Sequence, residues 1–181
     1  KLSHLSQVYV DWIAAALVGE NVLGVTLHDL RPADVPYEHE FDLKKSVPIH
    51  QRNFRTSQKH NEIIWKELDK ILDAGIVKPT TSAYASPLVI ITKKDQKPRL
   101  CVDYWALNTI MKPDRWPLPN MEEILDDLQG SRFFTTIDLF PGYWKIKVAD
   151  SCNEKNTFVC KYGTFSFEVM PFGLMNAPAT F

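Results

Sequence analysis

The sequence predicts an α+β fold in which an antiparallel sheet carries helices on one face. Three observations predict it. A stretch after Thr56 has helical apolar periodicity, two pairs of apolar runs are separated by short turn-like segments, and Phe133 to Leu139 alternates in the manner of a half-buried strand. With 181 residues, 45% of them hydrophobic, the chain is large enough to bury one core.

Taken in order, residues 1–55 show no sustained periodicity and are punctuated by Arg31-Pro32, Val35-Pro36 and Val47-Pro48. Each proline steers the residue before it towards extended conformations, so this part reads as a linker or extended arm with little independent fold. Thr56 or Ser57 is placed to cap a helix whose apolar positions are Ile64, Leu68, Ile71 and Leu72, with Glu62 and Lys66 one turn apart and Gly75 as its stop. Leu88 to Ile91 and Leu100 to Val102 then flank the turn-like Lys94-Asp95-Gln96-Lys97, which predicts a hairpin with a basic tip. Beyond Pro117 and Pro119, Asn120 with Glu123 three residues later forms a helix-start signature, followed by Ile124, Leu125 and Leu128 and closed by Gly130. Asp138 falls near the end of the alternating strand. A second hairpin is predicted where Thr157 to Cys160 and Thr164 to Val169 flank Lys161-Tyr162-Gly163, and Asn176 to Phe181 reads as the start of a helix.

No stretch reaches the roughly 18 to 20 apolar residues needed to span a bilayer, since the run from Val8 to Val18 is short and holds Asp11. The chain begins at Lys1 without a leader-like segment, so secretion is not expected and an upstream portion is expected to have been removed. Cys101, Cys152 and Cys160 are odd in number and lack Cys-x-x-Cys spacing, which argues against a disulfide framework or zinc site and for small buried apolar side chains. The net charge of −1 hides a basic middle. From Lys78 to Arg115, seven basic residues face three acidic ones, either as a solvated surface or as a footprint for a polyanion. No internal repeat is visible.

A carboxylate at a strand end before Pro141-Gly142 is placed to hold a metal, although strand-end aspartates also cap turns, and spacing alone leaves both roles open for Asp138. From about His39 to Phe181 the sequence resembles the reverse transcriptase of gypsy-type long-terminal-repeat retrotransposons, a segment of their pol polyprotein. The segments that carry the resemblance are Ser86-Pro87-Leu88-Val89 with Lys93-Lys94-Asp95, Arg99-Leu100-Cys101-Val102-Asp103-Tyr104, Ala106-Leu107-Asn108 and Pro117-Leu118-Pro119. They continue through Ile137-Asp138-Leu139 with Gly142-Tyr143, Thr157-Phe158, and the run from Met170 to Phe181 that opens Met-Pro-Phe-Gly-Leu. His39-Glu40-Phe41-Asp42-Leu43 resembles the linker that precedes the polymerase in such polyproteins.

The resemblance implies a right-hand polymerase: residues 1–55 as the upstream arm, and 56–181 as the fingers and the first part of a ferredoxin-like palm. The implied reaction is RNA-directed DNA synthesis by two-metal nucleotidyl transfer, with Mg2+ or Mn2+ as cofactor. Asp138 is implied as catalytic residue and metal ligand, with the Leu139 carbonyl beside it. Lys93 and Arg99 would grip the triphosphate, and Phe140, Pro141, Gly142, Tyr143 and Phe172 would line the nucleotide site, Tyr143 as the gate under the sugar. For Tyr143 and Phe172 plain core packing is the competing role. Lys94, Pro87 and Pro178 are implied contacts to nucleic acid. The implied partners are an RNA template, a DNA primer, deoxynucleoside triphosphates and the thumb, ribonuclease H and integrase of the polyprotein. No membrane partner is expected. The implied location is a cytoplasmic particle or the nucleus.

The sequence departs from the family at Trp105, where arginine is usual, at Phe140-Pro141, where arginine-serine is usual, and at Trp144, where histidine is frequent. Pro141 has no N–H to offer a triphosphate. The family's Tyr-x-Asp-Asp turn does not occur within these 181 residues, so they are expected to be inactive alone. The alternative expectation is a non-catalytic module, derived from a retroelement, that binds nucleic acid or protein.

Overall fold

The structure, a computed structural model, describes residues 35–45, 47–92, 98–117, 119–134 and 142–181. Of the predicted strand from Phe133 to Leu139, residues 135–139 lie outside the described residues, as does the basic hairpin tip, while Phe133 and Phe134 are exposed and belong to no strand.

Helix α1 spans Gln58–Asp73. Its start follows from Ser57, whose Oγ accepts the His60 N–H at 3.3 Å. One face carries Asn61, Ile64, Leu68 and Ile71, all buried, so the predicted periodicity is the core face. The pairing along its surface differs from the expectation, because Glu67 bonds Lys70 at 2.6 Å while Glu62 and Lys66 form no ion pair. The helix stops at Gly75, which adopts φ 67°. With the chain turned left-handed there, the Gly75 N–H reaches Leu72 O and the Ile76 N–H reaches Ile71 O, each at 2.9 Å, which satisfies carbonyls a helix end leaves open.

Five strands follow among the described residues: β1 (Val77–Pro79), β2 (Ser86–Thr92), β3 (Pro98–Val102), β4 (Phe158–Cys160) and β5 (Gly163–Phe167). Their order across the sheet is β1-β5-β4-β2-β3. Both predicted hairpins are present, with Leu88 opposite Val102 in one and Phe158 opposite Phe165 in the other. The wholly antiparallel sheet expected from the sequence needs correction. β2 and β4 run parallel, Ser86 beside Phe158 and Pro87 beside Val159. A parallel pair needs a long crossover, and residues 103–157 supply it. Within that crossover lie α2 (Trp105–Ile110), α3 (Met121–Asp127) and two 3₁₀ turns, η1 (Gly142–Lys145) and η2 (Asp150–Cys152). Helix α4 (Ala177–Thr180) closes the chain. Helix α3 begins as predicted, with Asn120 Oδ1 accepting the Glu122 N–H at 3.1 Å, but none of its residues is buried and Ile124, Leu125 and Leu128 face outward.

The core lies between α1, the sheet and the crossover, around Leu68, Met111, Cys152, Phe158 and Met170. Phe158 is flanked by Phe165 and Phe167 at ring distances of 5.7 and 5.2 Å. Cys101, Cys152 and Cys160 are all free thiols, and the latter two are buried. The antiparallel register pairs Phe158 with Phe165, so two residues further out Asn156 stands opposite Phe167. There the Asn156 side chain continues the ladder: its Nδ2 donates to Phe167 O at 3.0 Å and its Oδ1 accepts the Phe167 N–H at 2.9 Å. Tyr104 is enclosed beside it and donates to the Asn156 carbonyl at 2.9 Å. Burial pushes the Tyr104 phenol well above its ordinary pKa.

Residues 35–45 and 47–55 run along this body. The His39 N–H bonds Lys147 O at 2.7 Å, the Lys44 N–H bonds Ile110 O at 2.7 Å, and the Gln51 N–H bonds Ala85 O at 2.9 Å. Phe41 is buried in the core. The arm is therefore held by backbone pairing and by the inserted rings of His39 and Phe41. No helix among the described residues is long and apolar enough to cross a membrane.

Candidate functional site

Arg99, Phe172, Tyr143 and Phe181 come from four separate segments and meet in a row. Arg99 stands on β3 opposite Ile91 of β2. Its guanidinium lies over the Phe172 ring, 4.5 Å from the centroid, an arrangement that favours a cation against the ring face. Phe172 stacks on Tyr143 at 5.0 Å and 28° between planes, and Phe181 meets Tyr143 edge-on at 5.3 Å. Trp144 approaches Phe172 at 6.2 Å.

The loop that carries Phe172 is pinned at both ends. Upstream, the Met170 N–H bonds Ile146 O at 2.8 Å, with Met170 and Pro171 fully enclosed. Downstream, Asn108 on α2 donates to Gly173 O at 2.9 Å and accepts the Met175 N–H at 3.0 Å. Between them Gly173 takes φ 97°, a conformation L side chains rarely adopt, and passes close to Val102 O. The loop is thus fixed by glycine geometry and by one bidentate asparagine. Gly142 matters for a different reason: a Cβ there would stand 2.7 Å from Cζ of Phe181, so any side chain would have to push that ring away.

Of the residues expected at this site, Arg99, Gly142, Tyr143 and Phe172 are brought together. Lys93, Lys94, Asp138, Leu139, Phe140 and Pro141 lie outside the described residues. Pro178 is exposed on α4. Pro87, expected at nucleic acid, is instead enclosed within β2, and its carbonyl accepts the Asp103 N–H at 2.9 Å, so it is a packing residue of the sheet. The basic surface is also weaker than the sequence suggested. Lys78 pairs with Glu168 at 2.6 Å and Lys112 with Asp42 at 3.1 Å, both carboxylates outside the basic segment. Among the described residues no group of three or more His, Cys, Asp or Glu side chains could hold a metal ion.

Sequence reasoning passed over Asn108 and Phe181 as site residues, although both belong to the quoted motifs, and it passed over His39. His39 is fully buried, with Nδ1 2.8 Å from Thr180 Oγ1 and no partner for Nε2. Burial lowers its pKa to about 4, opposed by the charge of Asp114. A folded-state value below the ordinary 6.5 means the unfolded chain binds the proton more readily. His39 therefore contributes stability that is complete above pH 6.5 and is lost as the pH falls towards 4. The expected result is a denaturant midpoint that declines across that window, and declines less in His39→Asn; an identical decline in both chains would count against it.

The family model described as reverse transcriptase (RNA-dependent DNA polymerase) matches residues 91–181. The chain belongs to the reverse transcriptase family. The matched part holds Arg99, Gly142, Tyr143 and Phe172 together with Asp138. Among similar proteins, the retrovirus-related Pol polyprotein of transposon 297 from Drosophila melanogaster is 36% identical over 80% of the chain. That of transposon gypsy, from the same organism, is 35% identical over 74%. The Tf2-3 transposon polyprotein of Schizosaccharomyces pombe is 36% identical over 75%. The chain spans 14%, 14% and 10% of these three relatives. It is thus similar to a retrotransposon reverse transcriptase segment, gypsy among its relatives.

Solved structures agree on the fold. The foamy viral protease-reverse transcriptase in complex with RNA/DNA hybrid superposes with a TM-score of 0.83 at 22% identity, covering 98% of this chain and 24% of that one. Its form in complex with double-stranded DNA gives 0.83 at 23%, covering 98% and 31%. The mixed five-stranded sheet with its helices is accordingly the fingers and part of the palm of a reverse transcriptase. Reverse transcriptases use divalent metal ions.

Proposed function

We propose that this chain carries the nucleotide-binding part of an RNA-directed DNA polymerase site, working on an RNA template and a DNA primer with deoxynucleoside triphosphates as substrate. The observation that carries the reading is the row of Arg99, Phe172 and Tyr143. A guanidinium offers a planar fork of donors suited to phosphate oxygens, and the stacked rings beside it form a flat apolar platform suited to a sugar and base. Arg99 rests on the platform's face, from which an incoming triphosphate would draw it. Gly142, with a ring edge where a Cβ would be, keeps Tyr143 backed by Phe181.

Asp138 and the Leu139 carbonyl would hold Mg2+ or Mn2+, two ions in the whole polymerase, and those ions would supply charge neutralisation at the triphosphate. The 181 residues alone bind nucleotide and do not extend a primer, because the Tyr-x-Asp-Asp carboxylates are not among them. The nucleic-acid partners follow from the family fold and from the likeness to a polymerase held on an RNA/DNA hybrid.

The test is titration of the chain with a fluorescent deoxynucleoside triphosphate in Mg2+. Arg99→Ala is expected to weaken binding by about 10- to 100-fold, as loss of a charged donor pair of about 1.5–3 kcal/mol implies, and Arg99→Lys to recover only part of it. Equal affinity in wild type and Arg99→Ala would exclude this site.

A further inference from the structure

His39 stands 141 residues from the residue it bonds, and it joins the two segments on which the aromatic platform depends. Through its backbone it pairs with the strand-like segment after η1: the His39 N–H donates to Lys147 O at 2.7 Å, and the Ala149 N–H donates to His39 O at 3.0 Å. Tyr143 lies in that 3₁₀ turn, four residues before Lys147. Through its side chain it holds α4: Nδ1 is 2.8 Å from Thr180 Oγ1. The next residue is Phe181, whose ring backs Tyr143 at 5.3 Å and fills the space beside Gly142.

If Nδ1–H donates to Thr180 Oγ1, the hydroxyl is free to donate to Asn176 O, which lies 3.3 Å away. Asn176 in turn accepts the Asp114 N–H at 3.1 Å and donates to Lys112 O at 2.9 Å. The His39 ring, 5.6 Å from that of Phe41, is held in place by a neighbour that is itself in the core.

We propose that His39, in the arm upstream of the polymerase fold, is a positioning residue for the nucleotide platform: it braces the turn bearing Tyr143 against the helix that Phe181 caps. The inference rests on the nucleotide-site reading for its consequence, though not for its geometry. With the brace removed, α4 loses its tie to the arm, Phe181 is no longer pressed onto Tyr143, and the Tyr143–Phe172 stack loosens. Nucleotide affinity then falls although Arg99 and both platform rings are still present.

The experiment reads Tyr143 directly, in the full 181-residue chain labelled with 3-fluorotyrosine. The 19F resonance of Tyr143 is assigned as the one lost in Tyr143→Phe. His39→Ala and Thr180→Val are each expected to move it, at a temperature where circular dichroism shows both chains folded. His39→Asn, which keeps a polar atom near the position of Nδ1, and Thr180→Ser are expected to restore it. The double variant is expected to add no further shift, because both changes cut one bond. Nucleotide titration of the same chains should show affinity about tenfold weaker in the two variants that move the resonance, which is about 1.4 kcal/mol.

A control separates bracing from general loosening of the arm. His50→Ala alters an exposed arm side chain whose backbone pairs with Ala85, and it should leave the resonance in place. The proposal fails if the Tyr143 resonance is unmoved by His39→Ala and Thr180→Val, or if His50→Ala moves it equally. Should His39→Ala not fold, Thr180→Val, which changes an only partly buried side chain, decides the matter alone. A wild-type chain that binds no nucleotide, with the resonance shifts as expected, would overturn the function proposed above while upholding the brace.

Discussion

Extended through a Tyr-x-Asp-Asp turn, this chain is expected to copy a primed RNA template, and Asp138→Asn to lower the rate of incorporation by at least about 10³-fold. Asparagine preserves the size of the side chain and removes its charge, so the comparison isolates the carboxylate. Divalent ions contribute several kcal/mol of charge stabilisation in phosphoryl transfer, and each 1.36 kcal/mol is tenfold in rate. Location supports the assignment. Asp138 precedes Gly142 by four residues, a length of chain that reaches at most about 14 Å, and Gly142 adjoins the Tyr143–Phe172 platform. Single-turnover incorporation with Mg2+ measures the effect. An asparagine variant within about tenfold of the parent would falsify the role of Asp138 as metal ligand. Primer extension by the 181 residues alone, lost in Asp138→Asn, would overturn the expectation that they are inactive.

The largest expected effect on stability is at Asn156. Replacing it with leucine keeps an apolar fit in a fully enclosed position but leaves both the N–H and the C=O of Phe167 facing a side chain that cannot bond them. Each buried group left unpaired costs about 1–3 kcal/mol, so the variant, with two of them, is expected to lose about 2–6 kcal/mol, a large share of the 5–15 kcal/mol typical of a domain. Aspartate is no substitute, since it places an acceptor against the Phe167 carbonyl. Urea unfolding reads the loss as a lowered midpoint at unchanged slope. A loss below about 1 kcal/mol would show that Phe167 finds other partners.

Much of the fold was legible because local chemistry settles it. Ser57 and Gly75 bound α1, and the alternation of Phe165, Phe167 and Val169 marked three residues that are indeed buried, although β5 itself stops at Phe167. The parallel pairing of β2 with β4 was not legible, since an apolar run such as Leu88 to Ile91 does not carry the direction of its neighbour. Nor was the arm's attachment. Phe41 is a single ring between charged residues, without the repeat that signals burial, and its place is decided by the cavity that receives it.

At the site, Arg99, Gly142, Tyr143 and Phe172 followed from motifs that resemble the family. Phe181 sat within such a motif, but its service to Tyr143 depends on a contact across 38 positions that no spacing rule anticipates. His39 is harder still. A histidine in a charged, proline-rich stretch reads as solvated, and only a partner 141 residues away makes it a buried, neutral group. The basic stretch misled in the other direction, because Glu168 and Asp42, which neutralise Lys78 and Lys112, lie outside it.

The strand order has a consequence for how this chain comes to fold during synthesis. β1 meets its only described neighbour when Phe167 pairs with Val77, ninety positions later, and β2 waits for Phe158. A nascent chain can close the β2–β3 hairpin early, but the sheet is incomplete until β5 has left the ribosome. Contacts of such sequence separation raise contact order and slow folding, and unpaired strand edges meanwhile invite association with other chains. The wait for β5 sets the earliest moment at which this segment becomes a structured unit.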